Sequence, residues 1–378
     1  MPNPFDVIIL GLGAMGSAAA YHLAKRRQRV LGLDRFTPPH AFGSSHGQTR
    51  IIREAYFEHP HYVPIVQRAY EHWAELARET KQQLLQQTGG LMIGPPEGIL
   101  FGGAKRSAEI HQLPHEILTA HDIRRRFPAF HPTEETAAIW EPRAGIVFPE
   151  RCIAAHLQMA LQHGATLQYD EPAVKWERDG SGVRVSTAKG EYHASRLLLS
   201  AGAWFNQLVA DLNLPLVVER QVLLWFTPKI QAKDFGPQHC PIYIWEHEPD
   251  RLIYGFPDLG EGVKVGIHHE GEHTHPDQVR REVEATDVAA LRAILRRILP
   301  AIDTAPRASA VCLYTTTPDA HFLLDFHPDH PQVLLASLCS GHGFKFSSAF
   351  GEILADLLLA GRSRFDLSLF RLERLHSA

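Results

Sequence analysis

Cysteine is scarce in this chain: four residues in 378, Cys152, Cys240, Cys312 and Cys339, far apart and with no C-x-x-C pair. That usage leaves no basis for a disulfide framework or a zinc site, and it fits a reducing, cytoplasmic setting. Long apolar runs are missing as well. Nothing approaches the roughly 18 consecutive apolar residues of a membrane-spanning helix, so no membrane partner is expected. Neither sign of charge dominates: Lys+Arg total 38 against 42 for Asp+Glu, a net charge of -4. No basic footprint for nucleic acid follows from that balance. The segment MPNP ahead of the first apolar run leaves no room for a signal peptide, and the final His376-Ser377-Ala378 is not a peroxisomal address. No internal repeat or low-complexity tract is present. The 24 histidines are many, and their scatter through polar segments reads as surface placement.

What is present begins with an ordinary globular composition, 44% hydrophobic and 21% charged, in a chain long enough for two domains. The organising stretch is Phe5 to Arg35. Val7-Ile8-Ile9-Leu10 reads as a buried parallel strand. Gly11, Gly13 and Gly16 follow as G-x-G-x-x-G, then a helical pattern from Ala18 to Lys25, then a strand from Arg29 to Leu33 that ends in Asp34. In this setting Gly11 permits a tight turn, Gly13 lets a pyrophosphate approach the backbone, and Gly16 lets helix and strand pack closely. The helix N-terminus offers free N–H groups to phosphates, and Asp34 stands where a carboxylate accepts from a ribose. Gly11, Gly13, Ala14, Met15, Gly16, Asp34 and Arg35 are therefore candidate dinucleotide contacts. The motif alone does not separate NAD from FAD.

A polar loop, GSSHGQTR, runs from Gly43 to Arg50. Arg50 and Arg53, three apart around Ile51-Ile52, would share one helical face, or else form a solvated cationic edge. A helix is expected from Pro64 to about Leu84, with Ile65, Ala69, Trp73 and Leu76 on one stripe. The α/β rhythm lapses over 86–150. It returns with a helix from Cys152 to His163 closed by Gly164, a hairpin around Asp179-Gly180-Ser181, the strand Leu197 to Ser200 and a helix from Phe205 to Leu212. In GVKVGIH, Val263, Val265 and Ile267 face one way and Lys264, Gly266 and His268 the other; the plain alternative is a solvent-facing strand. A helix spans Gln278 to Leu299. In the strand Ala308 to Thr315, Cys312 and Tyr314 share a face, and a lone cysteine there is ordinarily an inert core residue. A second glycine-rich strand-to-helix turn, Ser340-Gly341-His342-Gly343-Phe344-Lys345, presents another helix N-terminus.

The α/β blocks 1–85, 150–213 and 318–378 read as a discontinuous cofactor domain. The β-rich blocks 86–149 and 214–317 read as a sheet domain built from the insertions.

Taken together, GxGxxG with Asp34, GSSHGQTRIIREAY, LLLSAGAW, YGFP…GVKVGIHH, AVCLYTTTPD and SGHGFKFSS resemble the monomeric sarcosine oxidase family, flavin amine oxidases that include N-methyltryptophan oxidase. The resemblance spans nearly the whole chain, in order. It implies an α/β fold with a Rossmann-like FAD-binding domain and a β-sheet-rich substrate domain, as in D-amino acid oxidase. It also implies FAD rather than NAD, linked covalently to Cys312. Lys264 would activate molecular oxygen, while Arg53 and Lys345 would hold the carboxylate of a small amino-acid substrate. Arg50, His46, Tyr254, His268 and Tyr314 match other residues around flavin and substrate. Ser44, Ile51, Val174, Ser200, Gly202, Trp204, Gly341, Gly343 and Phe344 complete the expected cofactor contacts. A monomer is expected. Three positions depart from the family: Ser45 and Glu54 stand where familiar members often carry histidines, and Ile267 replaces an aromatic or charged residue. These bear on substrate identity, sarcosine against N-methyltryptophan, L-pipecolate or L-proline, rather than on reaction type. An FAD-dependent dehydrogenase with a non-oxygen acceptor is the alternative chemistry.

Overall fold

The computed structural model describes residues 5–376, so the expectations resting on MPNP and on Ser377-Ala378 lie outside the described residues. Two large sheets frame the molecule. In the first, of eight strands, Phe5–Leu10 runs parallel to Val30–Leu33 on one side and to Glu191–Leu199 on the other. Thr166–Gln168 and Val333–Ser337 extend the parallel core. The hairpin Ala173–Asp179 with Gly182–Thr187 and the strand Leu323–Phe326 add antiparallel edges. The central strands are apolar on both faces because both are covered: Ile8 and Ile9 are each fully buried on opposite sides of the pleat. Burial of each is worth about 1.5–3 kcal/mol.

Three helices, Ala14–Lys25, Pro149–Gln162 and Ser347–Ala360, pack together over this sheet. Their close approach follows from small residues. A Cβ at Gly351 would lie 2.8 Å from Ala18 and 2.7 Å from the His22 ring, so only glycine lets these helices meet at that distance.

The second sheet has nine strands. Val217–Phe226 pairs along its whole length with Pro306–Thr316 and carries Val263–His268 on its other edge. Arg251–Gly255 and Ile242–Glu248 follow, and then Gly90–Gly94, Ala137–Glu141 and Glu116–Thr119 from the earlier insertion. Val263, Val265 and Ile267 join the apolar cluster under helix Ala285–Ile298. Lys264, Gly266 and His268 take the opposite face, as the alternation requires. A small sheet of Arg50–Ile52, Gly145–Val147 and Leu85–Gln87 lies apart from both.

Several local expectations are corrected. Arg50 and Arg53 do not share a helical face: Arg50–Ile52 is a strand paired with Gly145–Val147, in keeping with the β-branched Ile51-Ile52. The first helix begins at Ala14 rather than Ala18. The expected helix to Leu84 ends at Thr80, where Lys81 turns left-handed. Phe205 to Leu212 breaks into a short helix Phe205–Leu208 and a 3-10 turn. The helix placed from Gln278 begins at Ala285, where Glu284 and Asp287 form a reciprocal cap. Six histidines, His22, His46, His72, His156, His327 and His342, are buried rather than on the surface.

Candidate active site

One cleft brings both glycine turns together with Arg50, Arg53 and Lys345. At the first turn Gly11 has φ +93°, a left-handed value that glycine adopts freely. A Cβ on Gly16 would stand 1.8 Å from the Gly11 carbonyl oxygen, whereas one on Gly13 would meet nothing within 4 Å. The space over Gly13 belongs to the cleft, so the backbone there is free to receive a phosphate group. Asp34 is buried, and its carboxylate accepts from the backbone N–H of Leu12 at 2.6 Å and of Phe36 at 2.8 Å. Burial raises its pKa, and the two N–H donors oppose that rise. Arg35 lies over the Trp204 ring and pairs with Asp277 at 2.8 Å. Ala14, Met15, Ser200 and Gly202 line the same cleft.

At the second turn Gly341 has φ +74°, and a Cβ on Gly343 would lie 1.8 Å from the Leu338 carbonyl oxygen. Gly341, Gly343, Phe344 and Lys345 all reach the cleft. So do Ser44, Arg50 and Ile51. Arg50 donates to the carbonyl oxygens of Thr49 and Ser44, each at 2.8 Å. Among the described residues the buried Ser44 Oγ has no hydrogen-bond partner. An orphaned hydroxyl, an open glycine backbone and two helix-entry turns fit a dinucleotide cofactor.

Cys312 lines the cleft and is 1% exposed. Burial raises its thiol pKa, opposed by the positive charges of Arg50 and Lys264. Lys264 itself stands behind the wall. Its Nζ donates to Gly47 O at 2.7 Å, Thr49 O at 2.8 Å and Thr49 Oγ1 at 2.9 Å. Burial and Arg50 pull its pKa well down; three oxygens placed around three N–H donors favour the charged ammonium.

Arg53 and Lys345, distant in sequence, both border the cleft. The Arg53 guanidinium is 1% exposed and 4.1 Å from the centre of the Tyr56 ring. One of its nitrogens donates to both oxygens of Glu58 and another to Ala55 O at 3.0 Å, while Nε has no partner among the described residues. Lys345 Nζ donates to His342 O at 2.6 Å and to the Tyr56 hydroxyl at 3.3 Å. Burial, with help from Arg53, pulls its pKa to about 7. The Tyr56 hydroxyl lies 2.6 Å from His342 Nδ1, and His342 Nε2 is 3.0 Å from Ala320 O. A ring nitrogen facing a carbonyl must carry the proton, so Nδ1 accepts from Tyr56. Tyr254, His268 and Tyr314 line the cleft nearby, with His268 Nδ1 3.4 Å from the Tyr314 hydroxyl.

Two expected contacts fall elsewhere. Val174 is 70% exposed, because it is the extra residue of an irregularity in the ladder between Ala173 and Lys175, while its neighbours Pro172 and Ala173 line the cleft. His46 is buried behind the wall, and burial drops its pKa to about 3. Sequence reasoning missed Glu58, Tyr56 and His342. Glu58 follows Arg53 within REAYFE, and only its charge beside a clamp arginine could have drawn notice.

Comparison with known proteins agrees with this geometry. The family described as DAO, FAD dependent oxidoreductase, matches residues 6–357. The monomeric sarcosine oxidase of Streptomyces avermitilis is 44% identical over 382 aligned residues, covering 100% of both chains. The N-methyl-L-tryptophan oxidase of Salmonella heidelberg is 34% identical, covering 98% of this chain and 99% of its own. Among solved structures NikD, an amino acid oxidase essential for nikkomycin biosynthesis, superposes with a TM-score of 0.84 at 25% identity over 97% of each chain.

Proposed function

The chain belongs to the FAD dependent oxidoreductase family, and we propose that it oxidatively demethylates sarcosine or a related small N-methyl amino acid. The products are formaldehyde, the primary amino acid and hydrogen peroxide. The observation that carries this reading is the meeting of Arg53 and Lys345, two buried cations, on the wall of the cleft that also holds the glycine turns and Cys312.

FAD, when bound, supplies an acceptor for the hydride of the carbon beside nitrogen and returns the electrons to oxygen. The glycine turns at 11–16 and 341–343 and the carboxylate of Asp34 would hold it, with Cys312 as its covalent anchor. The remaining work belongs to the side chains. The planar fork of Arg53 suits a carboxylate, and Lys345 adds a second positive charge. Fixing the carboxylate also places the N-methyl carbon that gives up the hydride, since only the α-carbon and the amine nitrogen lie between the two in an N-methyl amino acid. Orientation of that kind is a large part of rate enhancement. A dry pocket already holding two cations disfavours a third, so it favours the neutral amine that can release hydride. The Lys264 ammonium, held by Gly47 and Thr49, would place positive charge where oxygen gains negative charge.

The blocks 1–85, 150–213 and 318–378 hold the eight strands of the first sheet, which we assign to the cofactor domain; 86–149 and 214–317 hold the nine of the second, assigned to the substrate domain. Anaerobic titration of the yellow protein with sarcosine, N-methyltryptophan, L-pipecolate and L-proline tests the reading. Bleaching by an N-methyl amino acid, with stoichiometric peroxide on admission of air, is the expected result. Persistent colour with every amine would overturn it, and bleaching without peroxide would assign a different electron acceptor.

A further inference from the structure

Glu141 ends the strand Ala137–Glu141 and is 1% exposed. Its two carboxylate oxygens accept from consecutive backbone N–H groups, Glu54 at 2.7 Å and Ala55 at 2.8 Å. Those two residues follow Arg53 directly, and the carbonyl of Ala55 accepts from the Arg53 guanidinium. A closed path therefore runs from the carboxylate of one segment through one peptide turn to the fork of the arginine. We propose that Glu141 is a positioning residue for substrate-carboxylate recognition, setting the orientation of Arg53 through the backbone of Glu54 and Ala55. The inference rests on the carboxylate clamp described above and extends it to a residue outside the cleft.

The physical argument turns on what an ionised carboxylate can do that its neutral form cannot. Ionised, Glu141 offers acceptors to both N–H groups; protonated, one oxygen becomes a donor and one N–H is left facing it. An unfilled buried N–H is costly, so the turn would relax and carry the Arg53 fork with it. The charged and titratable groups around Glu141 are Glu54 and Arg53 from the segment after strand Arg50–Ile52, and Tyr70 from helix Val63–Thr80. Arg143, in the turn beyond Glu141, pairs with Glu54 at 3.2 Å. Burial raises the Glu141 pKa to about 7; the two backbone N–H groups and Arg53 lower it, and the Glu54 charge raises it. Glu54, where familiar members of the family often carry histidine, is thus one of the groups that bring this carboxyl into the physiological range.

The sign follows. As pH falls through about 7 Glu141 gains a proton and the clamp loosens. As pH rises through about 7 Lys345 loses its proton and the clamp loses a charge. Binding of a small carboxylate should therefore be tightest near neutrality, with an acid limb owned by Glu141 and an alkaline limb owned by Lys345.

Calorimetric titration of the holoenzyme with propionate across both limbs provides the test, since it needs no turnover. Glu141→Gln keeps one acceptor and loses the charge. It should weaken propionate binding near neutrality by roughly tenfold and abolish the acid limb, with KM for the amine substrate rising far more than kcat falls. Wild-type affinity with an unchanged acid limb in this variant would overturn the proposal. Should Glu141→Gln fail to fold, Glu54→Gln removes only the neighbouring charge. It should displace the acid limb to lower pH, and an unmoved limb would overturn the proposal equally. Should no amine bleach the flavin while propionate binding keeps its Glu141-dependent limb, the substrate assignment fails and the positioning role stands. Turnover of N-methyl amino acids with an acid limb indifferent to Glu141 sinks the positioning role alone.

Discussion

One guanidinium nitrogen of Arg53 donates to both carboxylate oxygens of Glu58, at 2.8 and 2.6 Å. The arginine proposed to bind a substrate carboxylate is thus already bound by a carboxylate of its own chain. Glu58 is the more exposed partner, with 12% of its side chain accessible against 1% for Arg53. It can leave toward water, whereas Arg53 is committed to the interior.

Glu58→Gln should therefore bind small carboxylates more tightly than the natural protein, by roughly tenfold, because the incoming anion no longer competes with an internal one. The ligand-free variant should also melt at lower temperature, since a buried guanidinium without its counter-ion is destabilising, and carboxylate should restore the loss. Thermal unfolding with and without propionate measures both effects. Arg53→Met should lose carboxylate binding altogether; unchanged affinity would remove Arg53 from the clamp.

Lys345 carries the second charge with a pKa pulled to about 7. Its ammonium is present below that pH and lost above it, so the alkaline weakening of carboxylate binding should vanish in Lys345→Met and shift to higher pH in Lys345→Arg, whose charge survives. A limb that persists in Lys345→Met would assign the titration to another group.

Lys264 is buried at 2% exposure, with three oxygens on its Nζ. Lys264→Met should slow reoxidation of the reduced enzyme by oxygen by roughly a hundredfold, the scale on which loss of one electrostatic stabiliser is felt. Anaerobic reduction by substrate should change far less. Stopped-flow measurement of the two half-reactions separates them, and equal slowing would exclude the role.

Cys312 should keep the flavin with the protein after acid precipitation. A yellow pellet is the expected outcome, lost in Cys312→Ser. Free FAD in the supernatant of the natural protein would refute the tether. Because burial raises the thiol pKa while Arg50 and Lys264 lower it, replacing either cation should slow attachment, the thiolate being the reactive form.

The glycines of the first turn make opposite predictions. Gly16→Ala drives a methyl to 1.8 Å from the Gly11 carbonyl oxygen, and the local shift it forces should destabilise the fold by about 1–3 kcal/mol. Gly13→Val meets no protein atom within 4 Å at its Cβ. It should fold normally yet lose FAD affinity, because the added bulk occupies the space left for the cofactor. Unfolding curves and flavin content distinguish the two.

Much of this was legible in the chain, and the legible part has a common cause. The glycine turns, the buried parallel strands and the alternation of Val263, Lys264, Val265, Gly266, Ile267 and His268 are consequences of backbone rules that act within a few residues. The meeting of Arg53, Lys264, Cys312 and Lys345 was read from a resemblance, and the cleft joins three of them, with Lys264 just behind its wall. Local rules also failed where a single residue of parity or a competing propensity decided the matter. Val174 points outward because it is the extra residue where the ladder slips between Ala173 and Lys175. Arg50 lies in a strand because Ile51-Ile52 finds a partner in Gly145–Val147.

Tertiary structure alone decided the rest. Nothing in the sequence near Arg53 announces Glu141, which reaches the turn at 54–55 because Ala137–Glu141 is held in register against Gly90–Gly94. Nothing announces His342 as the acceptor for Tyr56, or His22 and His156 as buried neighbours of the helix cluster. The sequence by itself determined the cofactor turn and the two kinds of sheet, because these depend on short-range geometry and residue type. Which carboxylate holds which arginine, and at what proton affinity, was decided by the packed fold, because burial and long-range register set the distances on which electrostatic energies depend.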